Sequence, residues 1–385
     1  MFVNSSVEID RLLKLPFALV LLVCSSVNFL SAFPKPQAPS PKDGTVNAMS
    51  FGCAADGIAD DAPCLNRAIA AIGSGHGGTL TIPPGKYLLN AVSSDAYGNH
   101  VILLDHMIHL HVMGYGATLI YEAKNNSARV IELRGSASCV LEGFKLESAN
   151  AGVGTGFSLR RPVVSYGDPV QKNHIHDIEV QGFNIGIEMG TPENNQVSEN
   201  SVDNVISSAN TTHIVQQGKD TFNNLFENIT FYTARPGQTF LDLYNGTATF
   251  IRPTFEQTRD HVTSIKIEPG FVGPVEFIGA YCEWAETSEP FLVWNSGGAY
   301  VVFIGGQLSF FGAGGNEDAP RMIFDLTGQR SGGSLSFLET NMSTPNAGVR
   351  AIALPSLNGQ RQAIGPQVTR TGGYWGDVKI QNIKP

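Results

Sequence analysis

From about residue 101 to residue 344 the chain repeats one short pattern. An apolar residue is followed by a spacer, a turn residue, a second apolar residue, a spacer and a third apolar residue. It reads Val112-x-Gly114-Tyr115-x-Ala117, Leu141-x-Gly143-Phe144-x-Leu146, Ile175-x-Asp177-Ile178-x-Val180 and Val202-x-Asn204-Val205. It continues as Phe226-x-Asn228-Ile229-x-Phe231, Phe250-x-Arg252-Pro253-x-Phe255, Phe277-x-Gly279-Ala280-x-Cys282 and Phe303-x-Gly305-Gly306-x-Leu308, and closes with Phe337 and Met342. The leading positions, 112, 141, 175, 202, 226, 250, 277, 303 and 337, lie 29, 34, 27, 24, 24, 27, 26 and 34 residues apart. Alternation with period two predicts strands. A copy every two dozen residues or so, with Gly, Asn or Asp at a fixed bend, predicts a β-solenoid with one coil per copy. Positions three and five after the leading residue then face the core, and positions four and six face outward. Asn204 and Asn228 fall on adjacent coils and predict a short amide ladder. Residues 345–385 break the repeat and read as a C-terminal capping segment.

A different pattern precedes the repeat. Leu65, Ala68, Ile69 and Ile72 recur at helical spacing, with Asp60 or Asp61 placed to cap the helix and Pro63 in its first turn. A Gly- and Asp-rich turn leads in, and a strand that stops at Pro83-Pro84-Gly85 leads out. The polar stretch Asn90 to His100 reads as a loop or a short arm.

Phe51-Gly52, Asp56-Gly57, Asp60-Asp61, Ala68-Ile69, Gly77-Gly78 and Pro83-Pro84-Gly85-x-Tyr87 closely resemble the N-terminal signature of the pectate-lyase-like superfamily. That group holds polygalacturonases, rhamnogalacturonases, polysaccharide epimerases and phage tailspikes. The resemblance implies an all-β right-handed parallel β-helix with a short capping helix, and chemistry lying beyond residues 46–90. Gly75-His76-Gly77 looks like the Gly-His-Gly motif of polygalacturonases, but its place between helix and first strand makes it a turn. Asp168-Pro169-Val170-Gln171 departs from the epimerase pattern at both catalytic positions. The superfamily is therefore implied without any one of its characterised activities.

Composition narrows the partners. A net charge of −9 argues against nucleic acid. Arg11 and Lys14 before an apolar run from Leu15 to Val23 read as a secretory signal over residues 1–32, with an uncleaved anchor as the alternative. The expected protein is extracellular or periplasmic, without stable membrane insertion after cleavage, and a monomer or homotrimer. A Pro-rich linker follows over 33–45, then the β-helix over 46–344 with its cap at 46–90. Export allows a disulfide between Cys53 and Cys64, while Cys139 and Cys282 read as buried thiols.

The register nominates the chemistry. Position six stacks Glu147, Gln181, Ser208, Tyr232, Glu256, Glu283, Ser309 and Ser343, and position four stacks Lys145, Glu179, Ile206, Thr230, Thr254, Tyr281, Gln307 and Asn341. Glu256 and Glu283 would then be neighbours about 4.8 Å apart, close enough to push one carboxyl towards the proton-donor form. Tyr232, Thr254, Tyr281, Trp284, Gln307 and Arg259 would contact sugar. The plainer alternative is a pair splayed into water. One position after the leading residue, His176, Asp203 and Glu227 would stack, a set suited to acid–base work or to a cation. Lys266 and Arg252 are candidate charge partners. The expected function is cleavage of glycosidic bonds in a cell-wall or extracellular polysaccharide, pectin-like or otherwise uronate-containing, by acid–base carboxylates. The rivals are a lyase and a non-catalytic binding or structural solenoid. No cofactor or metal is expected, with calcium entering only for a lyase.

Overall fold

The computed structural model describes residues 44–74, 77–161, 170–192, 196–218, 220–232, 237–257, 262–271, 273–285, 289–295, 298–311, 322–326, 333–343, 350–354, 367–374 and 379–382. The expected signal and most of the linker lie outside these residues, as do Gly75-His76, Asp168-Pro169 and Arg259. Strands dominate, and nearly all pairs are parallel between successive coils. The fold is a right-handed parallel β-helix. The exception is an antiparallel hairpin, Ser93–Asp95 on Gly98–Asp105, built from the polar stretch after the first strands.

One coil explains the rest. Its first limb, Pro274–Ile278, buries Val275 and Phe277 and turns Glu276 outward. The chain bends at Gly279 and runs on as a second limb, Tyr281–Ala285, with Cys282 buried. It then crosses to a third face, Leu292–Trp294, where Leu292 and Trp294 are buried. The bend is left-handed at the same position in successive coils: Gly143, Asp177, Asn204, Asn228, Arg252, Gly279, Gly305 and Glu339 all have positive φ. Gly, Asn and Asp tolerate this conformation, whereas other side chains incur a cost of roughly 1–2 kcal/mol. Arg252 reaches back one coil, where its Nε donates to Asn228 Oδ1 at 2.8 Å and its Nη2 to Glu227 Oε1 at 2.6 Å, an exposed pairing that returns about 0–1 kcal/mol.

Three expectations are corrected. The first copy bends at Gly116 rather than Gly114, because two additional residues lie between Met113 and Ala117, and Ala117 pairs with Phe144. Asn204 and Asn228 form no ladder with each other. At the bend, where Asn204 is exposed and Asn228 half-buried, their amides donate instead to Asp177 (2.5 Å) and Asp203 (3.0 Å). The amide ladder lies at the buried turn before the first limb, where Asn173 Nδ2 donates to Asn200 Oδ1 (3.0 Å) and Asn200 Nδ2 to Asn224 Oδ1 (3.2 Å). Finally, the repeat continues past residue 344. Gln367–Thr371 pairs with Ser334–Leu338, and Arg350–Leu354 lies between Met322–Asp325 and Lys379–Asn382. These strands extend the solenoid rather than forming a separate cap.

The core is a stack of rings. Phe226, Phe250, Phe277, Phe303 and Phe337 follow one another with centroids 4.6, 5.1, 4.7 and 5.4 Å apart and nearly parallel planes. At the N-terminal end the helix Ala62–Ile72 covers the first coils, bringing Leu65 and Ile69 to Leu80, Ile82, Ile102 and Leu104. The two aspartates before it divide the work. Asp60 accepts from the Ala62 amide at 3.1 Å, while the buried Asp61 accepts from Ala54 (2.6 Å) and Ala55 (3.1 Å). Cys53 and Cys64 are joined as a disulfide, and Cys139 and Cys282 are buried free thiols.

The ladder makes a measurable claim. Asn200 Oδ1 accepts from both the backbone and side-chain amides of Asn173, and its Nδ2 also donates to Val170 O. Asn200→Ala removes the acceptor of the buried Asn173 backbone amide, at about 1–3 kcal/mol, while Asn173 Nδ2 keeps its bond to Ser136 O. The urea midpoint of the variant falls accordingly. A midpoint equal to the parent's would show the ladder to be energetically idle.

Candidate functional site

The second limbs carry a continuous outward patch. Tyr232 pairs with Glu256, Glu256 with Glu283, and Glu283 with Ser309. In the parallel column Thr230, Thr254, Tyr281 and Gln307 are successive partners. The structure therefore brings together Tyr232, Thr254, Glu256, Tyr281, Glu283 and Gln307 on one face. Trp284 takes the intervening strand position, opposite Gln257 and Phe310, and its side chain lies outside the described residues. Tyr281 donates its hydroxyl to Glu283 Oε1. Partial burial, and then the charge of Glu283, push the Glu256 carboxyl up from its ordinary value, against an opposing hydrogen bond from Tyr232. Glu283 is exposed. One carboxyl is thus biased towards holding its proton beside another that faces water.

On the first limbs, His176, Asp203 and Glu227 are register partners on three successive coils, as the spacing implied. Their side chains do not join as a triad. Asp203 takes Asn228, Glu227 takes Arg252, and His176 turns the other way along the axis. It stands with Nε2 3.2 Å from Glu142 Oε2 and Nδ1 3.0 Å from Asp177 Oδ2. Glu142 also meets His111 Nε2 at 2.7 Å and accepts from Tyr115 Oη at 2.9 Å. Burial alone would raise the Glu142 carboxyl, but bonds from Tyr115 and His111 hold it below its usual value. Sequence reasoning missed Glu142, although it follows Leu141 in the very slot that His176 occupies after Ile175. Extending that column by one coil would have found it.

The third face holds a group that the limb-based register did not cover. Asp242 and Lys266 are partners on adjacent coils, with Tyr244 and Glu268 two residues further along. Burial, then the charge of Glu268, push Asp242 up to about 6, with Lys266 opposing. A raised acid is most compatible with the fold while protonated, so its ionisation weakens the fold as pH rises through about 6. Asp242→Asn therefore melts above the parent near pH 7.5, and the gap closes as pH falls towards the ordinary aspartate value. A gap that persisted unchanged across that range would contradict the assignment. Nearer the N-terminal end on the same face, Glu132 bonds Arg134 and Arg160 as buried pairs, and Glu188 bonds the half-buried Arg129.

No family model matches the chain. Over one stretch of 77 residues it is 34% identical to the mannuronan C5-epimerase AlgE3 of Azotobacter vinelandii, covering 20% of this chain and 4% of that protein. Among solved structures, the catalytic unit of a GH87 alpha-1,3-glucanase from Streptomyces thermodiastaticus superposes with a TM-score of 0.51 at 12% identity, covering 88% of this chain and 70% of that one. The enzymatically active domain of bacteriophage CBA120 tailspike protein 2 superposes at 0.52 and 13%, covering 86% and 46%. The tailspike of Acinetobacter baumannii phage AM24 superposes at 0.51 and 11%, covering 90% and 57%. The chain thus spans a small part of the epimerase and about half of each tailspike. The likeness to the structures is one of fold. Among the described residues no helix is long and apolar enough to cross a membrane.

Proposed function

We propose that this β-helix is an exported carbohydrate-active enzyme that cleaves glycosidic bonds of an extracellular or cell-wall polysaccharide. Glu256 is the proton donor and Glu283 the ionised partner. The observation that carries the reading is their register. They occupy one outward position on neighbouring coils, and the environment of Glu256 favours its protonated form. A sugar chain lying across the second limbs would meet Tyr232 and Tyr281 as aromatic faces, with Thr254 and Gln307 as hydrogen-bonding groups. Glu256 would protonate the departing oxygen, while Glu283 attacks the anomeric carbon or draws a proton from water. Parallel strands lie about 4.8 Å apart. That is nearer the separation of about 5–5.5 Å used by retaining enzymes than the wider gap that admits a water. The glucanase structure supports the reading to the extent that this fold carries polysaccharide chemistry elsewhere.

Incubating the purified protein with a panel of neutral and uronate-containing polysaccharides tests the proposal. The expected result is new reducing ends without ultraviolet absorbance. Absorbance from an unsaturated product would replace hydrolysis with β-elimination. Binding without any new ends would make the solenoid a non-catalytic polysaccharide binder.

A further inference from the structure

We propose that His176, Glu142 and Asp177 bind a divalent transition-metal ion, with His111 as a fourth donor. The site stands apart from the Glu256–Glu283 patch and is independent of it. The donor atoms of His176, Glu142 and Asp177 lie within 4.8 Å of one another. Bonds of about 2.0–2.2 Å to a tetrahedral ion put its ligand atoms roughly 3.4 Å apart. The separation of 3.2 Å between His176 Nε2 and Glu142 Oε2 is already of that size. Asp177 Oδ2 now lies 3.0 Å from Nδ1, the other ring nitrogen, so this carboxylate swings past the ring edge to reach an ion held on Nε2. His111 Nε2, 2.7 Å from Glu142 Oε1 but outside that group of three, is close enough to move in as a second imidazole. Calcium and magnesium prefer oxygen donors, whereas this mixture suits zinc, cobalt or nickel.

The surroundings fit such a role. Glu142 and His176 are largely buried, with side-chain exposures of 12% and 19%, while His111 and Asp177 lie at 36% and 37% and leave a path for the ion. The His174 ring lies 4.4 Å from that of His176 and restricts its orientation. Tyr115 Oη donates to Glu142 Oε2 (2.9 Å) and to Asp177 Oδ2 (3.2 Å), holding both carboxylates towards the same point. Binding replaces those bonds and leaves the phenol as a neighbour, not a ligand. The donors come from three successive coils, because the strand of His111 pairs with that of Glu142, and that with the strand of His176. The ion would therefore tie three coils together at the N-terminal half of the solenoid.

The test uses the full chain stripped with a chelator and dialysed. Cobalt is titrated while its visible absorption is followed, and zinc is titrated by calorimetry. The expected result is one ion per chain, a visible cobalt band and a higher melting midpoint with metal than without. His176→Ala and Glu142→Gln each weaken binding by at least about tenfold. Tyr115→Phe retains it. Far-ultraviolet circular dichroism checks that each variant is folded. Failure of the parent to take up either ion, or equal uptake by folded parent, His176→Ala and Glu142→Gln, would overturn the proposal.

Discussion

Replacing Glu256 or Glu283 with glutamine lowers turnover on the polysaccharide substrate by roughly 10²–10⁴-fold, the usual worth of one acid–base group. The substitution keeps side-chain shape and outward register while removing the titrating group. The two variants fail differently. Glu256→Gln loses the proton donor, so its deficit is greatest for sugars with poor leaving groups. Glu283→Gln loses the ionised partner, and its deficit follows no leaving-group trend. The pH profile supplies the sign. An acid must hold its proton to act, so parent activity falls as pH rises through the raised value of Glu256. That alkaline limb is missing from whatever activity Glu256→Gln retains. Turnover equal to the parent's in both variants would remove the pair from the mechanism.

Phe277→Ala produces the largest loss of stability. The ring is fully buried, with Phe250 at 5.1 Å on one side, Phe303 at 4.7 Å on the other and Phe255 at 6.2 Å against its edge. Truncating a core phenylalanine costs about 3–5 kcal/mol. Here both stacking contacts vanish as well, each worth about 0.5–1.5 kcal/mol beyond area. Phe277→Leu refills most of the volume and costs markedly less. Chemical denaturation of the three proteins checks this. Equal midpoints for the alanine and leucine variants would mean that the stack relaxes around a hole. Because each coil touches only its neighbours, the defect also separates the stack into two segments, and the variant's transition broadens as they come apart at different denaturant concentrations.

The capping signature was legible because turn chemistry and helix periodicity are local. The outward columns were legible because a period of two and a constant bend fix which side chains meet on adjacent coils. Hence Tyr232, Glu256, Glu283 and Ser309 align as the spacing implied. What escaped depends on contacts between coils that no short window contains. Arg252 and Glu339 depart from the preference for Gly, Asn or Asp at the bend, and Arg252 grips Glu227 and Asn228 on the preceding coil. The ladder of Asn173, Asn200 and Asn224 lies just before the leading residue, outside the pattern that defined each copy. Asp242 and Glu268 lie on the third face, beyond the six-residue pattern that defined each copy. Which carboxylate pair a sugar meets is decided by such three-dimensional neighbours, and strand register narrows the choice without making it.

The left-handed bend has a consequence for how such a chain can change. It joins two of the three faces into a corner of constant length from the second copy onward, so one inserted residue there would turn every following side chain of that limb inside out. The unequal steps of the repeat must therefore be absorbed on either side of the third face. Walls beside that face can lengthen or shorten while the ring stack stays in place. The solenoid thus separates a part that tolerates no editing from two seams that accept it, and new ligand preferences can be acquired at the seams without refolding the rest.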